Sequence, residues 1–262
     1  MDLKLNGKHV LITGGSKGIG LACAREFLQE GCTVSLVGRD QARLAQVCEE
    51  LDVSGQHAHG LTADLTDAKS ALAVVTQAEA AYGPIDVLVN AAGAARQKPF
   101  RELEPQDWRG AMDAKFFTYI NVMDPLIKLM AARGHGAIVN VIGMGGKIPI
   151  TTHLIGGAAN AALMLATAGL ALAYAPQGVR VNALNPSKTS TGRLVEGVEA
   201  DARQRNITED AAMIKARESL PIGRIATPED VAAAVVFLAS PRAGYISGSV
   251  LSMDGATRPM VV

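Results

Sequence analysis

A chain of 262 residues has the size of one large α/β domain, against a usual ~150 residues per domain. Apolar residues make up 48% and charged residues 19%, a composition that supports a large core and excludes a disordered chain. Lys+Arg and Asp+Glu each number 25, so the net charge is zero and nothing favours nucleic acid or an anionic membrane. In chain order, residues 9–13 predict a strand and 18–30 a helix, then strand 33–37 and helix 41–51. Strand 57–61, helix 67–82 and strand 85–89 follow, with later strands over 137–141, 179–184 and 249–253. Strands this apolar are buried on both faces, and the helices between them act as crossovers. The pattern predicts a doubly wound parallel sheet flanked by helices, in a single domain spanning 1–262.

Residues 193–218 stand apart, with eleven charges in 26 residues. They read as a solvated surface excursion or, beside the carboxyl ends of the strands, as a substrate lid. Three cysteines without metal-ligand spacing read as reduced thiols, with no metal expected and a cytoplasmic location. No eighteen-residue apolar run free of Gly or polar breaks is present, and residues 1–7 lack the apolar stretch of a signal peptide.

After the first strand, Thr13-Gly14-Gly15-Ser16-Lys17-Gly18-Ile19-Gly20 runs straight into a helix. Glycines there let the backbone approach a pyrophosphate at a helix N-terminus, where unpaired N–H groups and the helix dipole favour anions. Asp64-Leu65, Asn90-Ala91-Ala92-Gly93, Arg180-Val181-Asn182-Ala183 before Pro186, Pro228-Glu229-Asp230-Val231-Ala232 and Met253-Asp254-Gly255 follow in order. With these motifs the chain resembles a short-chain dehydrogenase/reductase over nearly its whole length. The resemblance implies a Rossmann-like seven-stranded sheet, a nicotinamide dinucleotide, a small-molecule substrate and a homo-oligomer, often a tetramer. It also implies cofactor contacts from Gly14, Ser16, Lys17, Gly18, Ile19, Gly20, Arg39, Asp40, Asp64, Leu65, Asn90, Ala91, Gly93, Pro186, Thr189 and Thr191.

At the end of the second strand, Gly38 stands where NAD-using relatives place an acid, and Arg39 adds a guanidinium able to pair with a 2′-phosphate. Lys17 adds a second positive charge. This combination favours NADP(H) over NAD(H), although Asp40 weakens the local field and either cation is also an ordinary surface residue.

The family usually carries a Ser, a Tyr-x-x-x-Lys pair and an Asn. None of Tyr82, Tyr119, Tyr174 and Tyr245 is followed four residues later by lysine. Family spacing places Gly143 in the Ser slot, Gly156 in the Tyr slot, Asn160 in the Lys slot and Lys115 in the Asn slot. The adjacent glycines 156 and 157 weaken a helix by roughly 1 kcal/mol each relative to Ala. Drift after loss of activity, or room for a bulky ligand, accounts for the pair. Lys115 and His153 are the candidate replacements, one as a positive charge near Asn160, the other as a general acid. A solvated helix lysine and a solvent-facing loop histidine are the plainer readings, and Lys147 and Lys188 are weaker candidates. Three functions stay open. The first is an NADP(H)-dependent oxidoreductase with a non-standard site, acting on a carbonyl, alcohol or quinone-like substrate. The second is a catalytically silent NADP(H)-binding subunit or sensor, and the third a non-redox reaction on the same scaffold.

Overall fold

The computed structural model describes residues 2–93 and 97–259. Seven parallel strands form one sheet in the order β3-β2-β1-β4-β5-β6-β7. They are β1 (His9–Thr13), β2 (Thr33–Gly38), β3 (Ala58–Thr62), β4 (Val87–Asn90), β5 (Gly136–Val141), β6 (Val179–Pro186) and β7 (Val250–Met253). Each predicted strand is present within a few residues of its expected bounds. The strand order reverses beside β1, where β1 pairs with β2 on one side and β4 on the other. That reversal opens a crevice at the carboxyl ends of the strands.

Alternation along the strands divides the core. Val10, Ile12, Val34, Leu36, Val87, Val89 and Val139 face α1 (Gly18–Gln29), α2 (Gln41–Leu51) and α9 (Pro228–Ala239). Leu11, Leu88, Ile138 and Val181 face α3 (Ala68–Tyr82) and α5 (Thr118–Arg133) on the other side. Helix α6 (Leu154–Tyr174) buries Ile155, Ala159, Leu163, Thr167 and Ala171. Together with the turn that follows it, α6 is long and apolar enough to cross a membrane by length and composition, alone among the described residues.

One row of side chains crosses the sheet interior. Thr13, Asn90 and Asn140 are register partners on β1, β4 and β5. Thr13 Oγ1 donates to Asn90 Oδ1 (3.3 Å), Asn90 Nδ2 to Asn140 Oδ1 (3.0 Å), and Asn140 Nδ2 to Thr167 Oγ1 on α6 (2.9 Å). The Arg180 motif is likewise structural: its guanidinium donates to the carbonyls of Leu238, Ala239 and Ser240 at the end of α9.

Residues 193–218 are helical over most of their length. They form α7 (Gly192–Arg205) and α8 (Glu209–Glu218), which pack on each other through Val198, Ala202 and Ala212. Helix α4 (Pro105–Ala111) leads into a π-helical turn, Met112–Phe117, before α5.

Candidate active site

Helix starts differ in how they are capped. Side chains cap α2, α3, α8 and α9: Asp40, Asp67, Thr208 and Thr227 each accept from a first-turn N–H. Helices α1, α6 and α7 begin at the crevice with no side-chain cap. Side chains thus leave their first N–H groups open, although Leu194 N in α7 donates to the Thr191 carbonyl (2.9 Å). The cleft between them has a volume of about 1550 Å³.

The glycine loop forms one wall. Gly14 has φ +72°, and a Cβ there would stand 2.9 Å from the Ala92 backbone. A Cβ on Gly20 would strike Gly14, so α1 can approach β1 closely only with glycine there. Ser16, Lys17, Gly18 and Ile19 line the cleft with them. Arg39, Asp64, Leu65, Ala91, Gly93, Pro186, Thr189 and Thr191 line it too. Asp64 accepts from Thr66 N (3.0 Å) and Thr66 Oγ1 (2.8 Å), which, with the nearby Arg39 guanidinium, holds its carboxyl below the usual range.

Two expected residues sit elsewhere. Asp40 does not line the cleft; its carboxylate accepts from Arg43 N (3.0 Å) as the cap of α2, because a helix starts directly after β2. Asn90 is fully buried in the polar row beneath the loop, and its partner Thr13 Oγ1 accepts from Ala91 N (3.1 Å) and Ala92 N (3.2 Å) to hold the loop from below. The cradle of unpaired amides, close-packed glycines and basic side chains fits a dinucleotide phosphate.

At the other end of the cleft, the π turn presents Lys115, which is 8% exposed. Its Nζ donates to Tyr119 Oη (2.7 Å) and to the Val141 carbonyl (3.1 Å). Tyr119 Oη donates to the same carbonyl (2.5 Å) and is itself fully buried, so it does not reach the cleft. Among the described residues no carboxylate lies within 4.0 Å of Nζ. Burial, with the Arg193 guanidinium beside it, pulls the ammonium down to about 7.

His153 occupies the N-cap position of α6 without a capping hydrogen bond, and its ring lies over Gly156. A Cβ on Gly156 would collide with that ring, Nδ1 included at 2.8 Å, and one on Gly145 would stand 3.0 Å from Cδ2. Nδ1 is buried without a hydrogen-bond partner among the described residues. Burial first, then the charges of Arg193 and Lys115, lowers the imidazole to about 4, so it is neutral near pH 7. The Gly156–Gly157 pair therefore has a packing cause: a Cβ on Gly157 would come 2.7 Å from the Gly145 carbonyl oxygen. Asn160 is 4% exposed, with Nδ2 3.4 Å from where a Cβ on Gly143 would sit. Gly143 has φ +128°, which only glycine adopts without strain.

Lys147 is engaged outside the cleft, donating to Val250 O (3.1 Å) and Ser252 Oγ (3.0 Å). Lys188 lines the cleft but donates to Ser219 Oγ (2.7 Å) at the end of α8. Sequence reasoning overlooked Gln97 and Arg193, both on the cleft wall, and Tyr119 behind Lys115. The four-residue spacing of Lys115 and Tyr119 was a usable signal, since side chains so placed meet on a helix.

Fold, switch-point cleft and phosphate cradle together define a Rossmann-type dinucleotide-binding site. The family model described as short chain dehydrogenase matches residues 8–202. A cis-4-hydroxycyclohexanecarboxylate dehydrogenase of Sinomonas cyclohexanicum is 36% identical over 94% of this chain and 94% of that protein. A galactitol 2-dehydrogenase of Cereibacter sphaeroides is 34% identical over 96% and 95%. The crystal structure of L-sorbose reductase from Gluconobacter frateurii, complexed with NADPH and L-sorbose, superposes with TM-score 0.91 at 30% identity, covering 100% of both chains. The chain belongs to the short-chain dehydrogenase family.

Proposed function

We propose that the protein is an NADP(H)-dependent oxidoreductase that moves the proton of its reaction through Lys115, in place of the tyrosine usual in its family. The substrate is a small carbonyl, alcohol or quinone-like molecule. The observation that carries the reading is Lys115 Nζ itself: buried, on the cleft wall, held by two oxygens and unpaired with any described carboxylate. A lysine poised near neutrality can donate a proton during carbonyl reduction and accept one during alcohol oxidation. The nucleotide supplies or accepts a hydride when bound. Gly14, Ser16, Lys17, Gly18, Ile19 and Gly20 hold its pyrophosphate, and Arg39 with Lys17 selects the 2′-phosphate. Asp64 and Leu65 flank the adenine end, while Ala91, Gly93, Pro186, Thr189 and Thr191 line the nicotinamide end. NADPH complexes among similar structures, including L-sorbose reductase and an actinorhodin polyketide ketoreductase, support the cofactor choice.

His153, neutral and wedged between Gly145 and Gly156, closes the wall where the tyrosine would project. Residues 193–218 act as the lid: Gln204 Nε2 donates to Thr151 Oγ1 (3.3 Å) across the mouth, which supports that role. The outer face of α6, with Leu165 78% and Leu172 81% exposed, supports a homotetramer, which light scattering tests.

The test follows NADPH absorbance with a panel of ketones, aldehydes and quinones. Turnover is expected, falling about 10²–10⁴-fold in Lys115→Met and far less in His153→Ala. A second reading, a silent NADP(H)-binding subunit or sensor, is favoured by the absence of Tyr-x-x-x-Lys from the sequence. NADPH binding without turnover on the whole panel would establish it.

A further inference from the structure

We infer that the cleft takes, beside the nucleotide, a ligand bearing an anionic oxygen, a carboxylate or a conjugated enolate or phenolate, seated on Lys115 Nζ. The inference deepens the proposed function and rests on its placing of the reaction at Lys115.

Valence is the argument. An amine has two N–H bonds and a lone pair; an ammonium has three N–H bonds. Tyr119 Oη and Val141 O take two N–H bonds in either state. One tetrahedral position is left, and it alone changes character when the proton comes or goes. The protein offers it no partner among the described residues, and Lys115 lines the cleft.

Charge decides what goes there. The groups facing Lys115 are Tyr119 from α5, His153 ahead of α6 and Arg193 from α7. Tyr119 is pushed by burial far above its ordinary range, so it stays protonated. His153 stays neutral near pH 7, and Arg193 contributes a guanidinium ion-paired with Glu196. None supplies a negative charge to Nζ. A buried ammonium without a counter-ion is costly, and an arriving anion removes that cost while restoring the proton. A neutral ligand does not. Gly143, Gly145 and Gly156 keep this part of the lining small, with the His153 ring packed against the last two.

Benzoate is the probe and benzamide its neutral counterpart, titrated calorimetrically into the whole protein in buffers of differing ionisation enthalpy. Near pH 5.5 benzoate should bind with no proton taken up, near pH 7 with about half a proton and near pH 9 with about one. Its affinity should fall about tenfold per pH unit above 7, and benzamide should bind at least about tenfold more weakly. Lys115→Met should abolish the proton uptake and the pH dependence. Wild-type proton counting decides the matter even if that variant misfolds. Equal binding of benzamide, absence of proton uptake at every pH, or no saturable benzoate binding overturns the inference. Turnover of a neutral ketone untouched by benzoate also overturns it and leaves the oxidoreductase reading standing. Failure to bind NADPH defeats that reading without altering the proton count.

Discussion

The imidazole of His153 occupies the space into which a side chain on Gly156 would grow. The two positions are thus one packing unit: the ring requires the glycine, and the glycine leaves a hole unless the ring is there.

Gly156→Ala should destabilise the wild-type protein by about 1–3 kcal/mol, because the new methyl must displace a buried ring. In a His153→Ala background the same change should stabilise by up to about 1 kcal/mol, the ordinary preference of a helix for alanine. Urea midpoints of the four proteins give the sign reversal. Additivity would show that the ring does not lie over Gly156.

The acid limb of stability should carry the signature of His153. The folded protein keeps the ring neutral down to about pH 4, whereas the unfolded chain protonates it at 6.5. The unfolded state therefore binds more protons in that window, and stability falls as pH drops from 6.5 to about 4. The loss from this group amounts to roughly 3 kcal/mol and then levels off. His9, also lowered by burial, adds in the same direction. Denaturant melts of His153→Phe against wild type should show a shallower decline over that interval.

Lys115→Met should cost activity while raising stability. The folded state holds the amine at about 7 against 10.5 in the unfolded chain, so the penalty is full below about 7 and recovered as pH rises toward 10.5. The variant should be about 1–4 kcal/mol more stable near pH 7, with the advantage shrinking in alkali. Tyr119 Oη still donates to Val141 O after the change, so no buried hydroxyl is orphaned. A variant less stable than wild type at neutral pH would contradict this.

Gly38→Asp should reverse the nucleotide preference. A Cβ at Gly38 meets only Leu44, at 3.5 Å, so the carboxylate is accommodated. Facing a 2′-phosphate it repels, and a like-charge clash of several kcal/mol predicts at least a ~10²-fold rise in the NADPH KM. The NADH KM should rise much less, which steady-state kinetics measures.

Asn140→Ala cuts the polar row between β4 and α6. It strands the amide of Asn90 and removes the donor to Thr167 Oγ1, all inside the sheet core. A loss of about 2–4 kcal/mol is expected from chemical unfolding.

The sheet was legible because its strands are short, β-branched and buried on both faces, with glycine or helix signals between them. The cradle was legible because Gly14, Gly18 and Gly20 directly follow a strand and open a helix. Asp40 was misread because an acid after β2 serves helix capping as readily as ribose binding, and only the side chain's direction separates the two. The glycine pair 156–157 suggested drift or an open pocket. Its partners, His153 and the Gly145 carbonyl, belong to a loop whose path no local pattern encodes. Lys115 was located by its family slot. Its anchoring to Tyr119 and Val141 depends on β5 ending beside the π turn, a tertiary fact.

That wider turn sets the rotation of α4 about the axis it shares with α5. Each residue advances a helix by about 100°, and Met112–Phe117 carries one more residue per turn than a regular helix does. Deleting a single residue within it would swing everything before the excision around the axis relative to α5. Lys115 and Tyr119 would still share a face, three or four residues apart, while α4 would turn by about 100° about the axis. A single peptide unit's length of surplus chain thus sets how α4 is turned relative to α5.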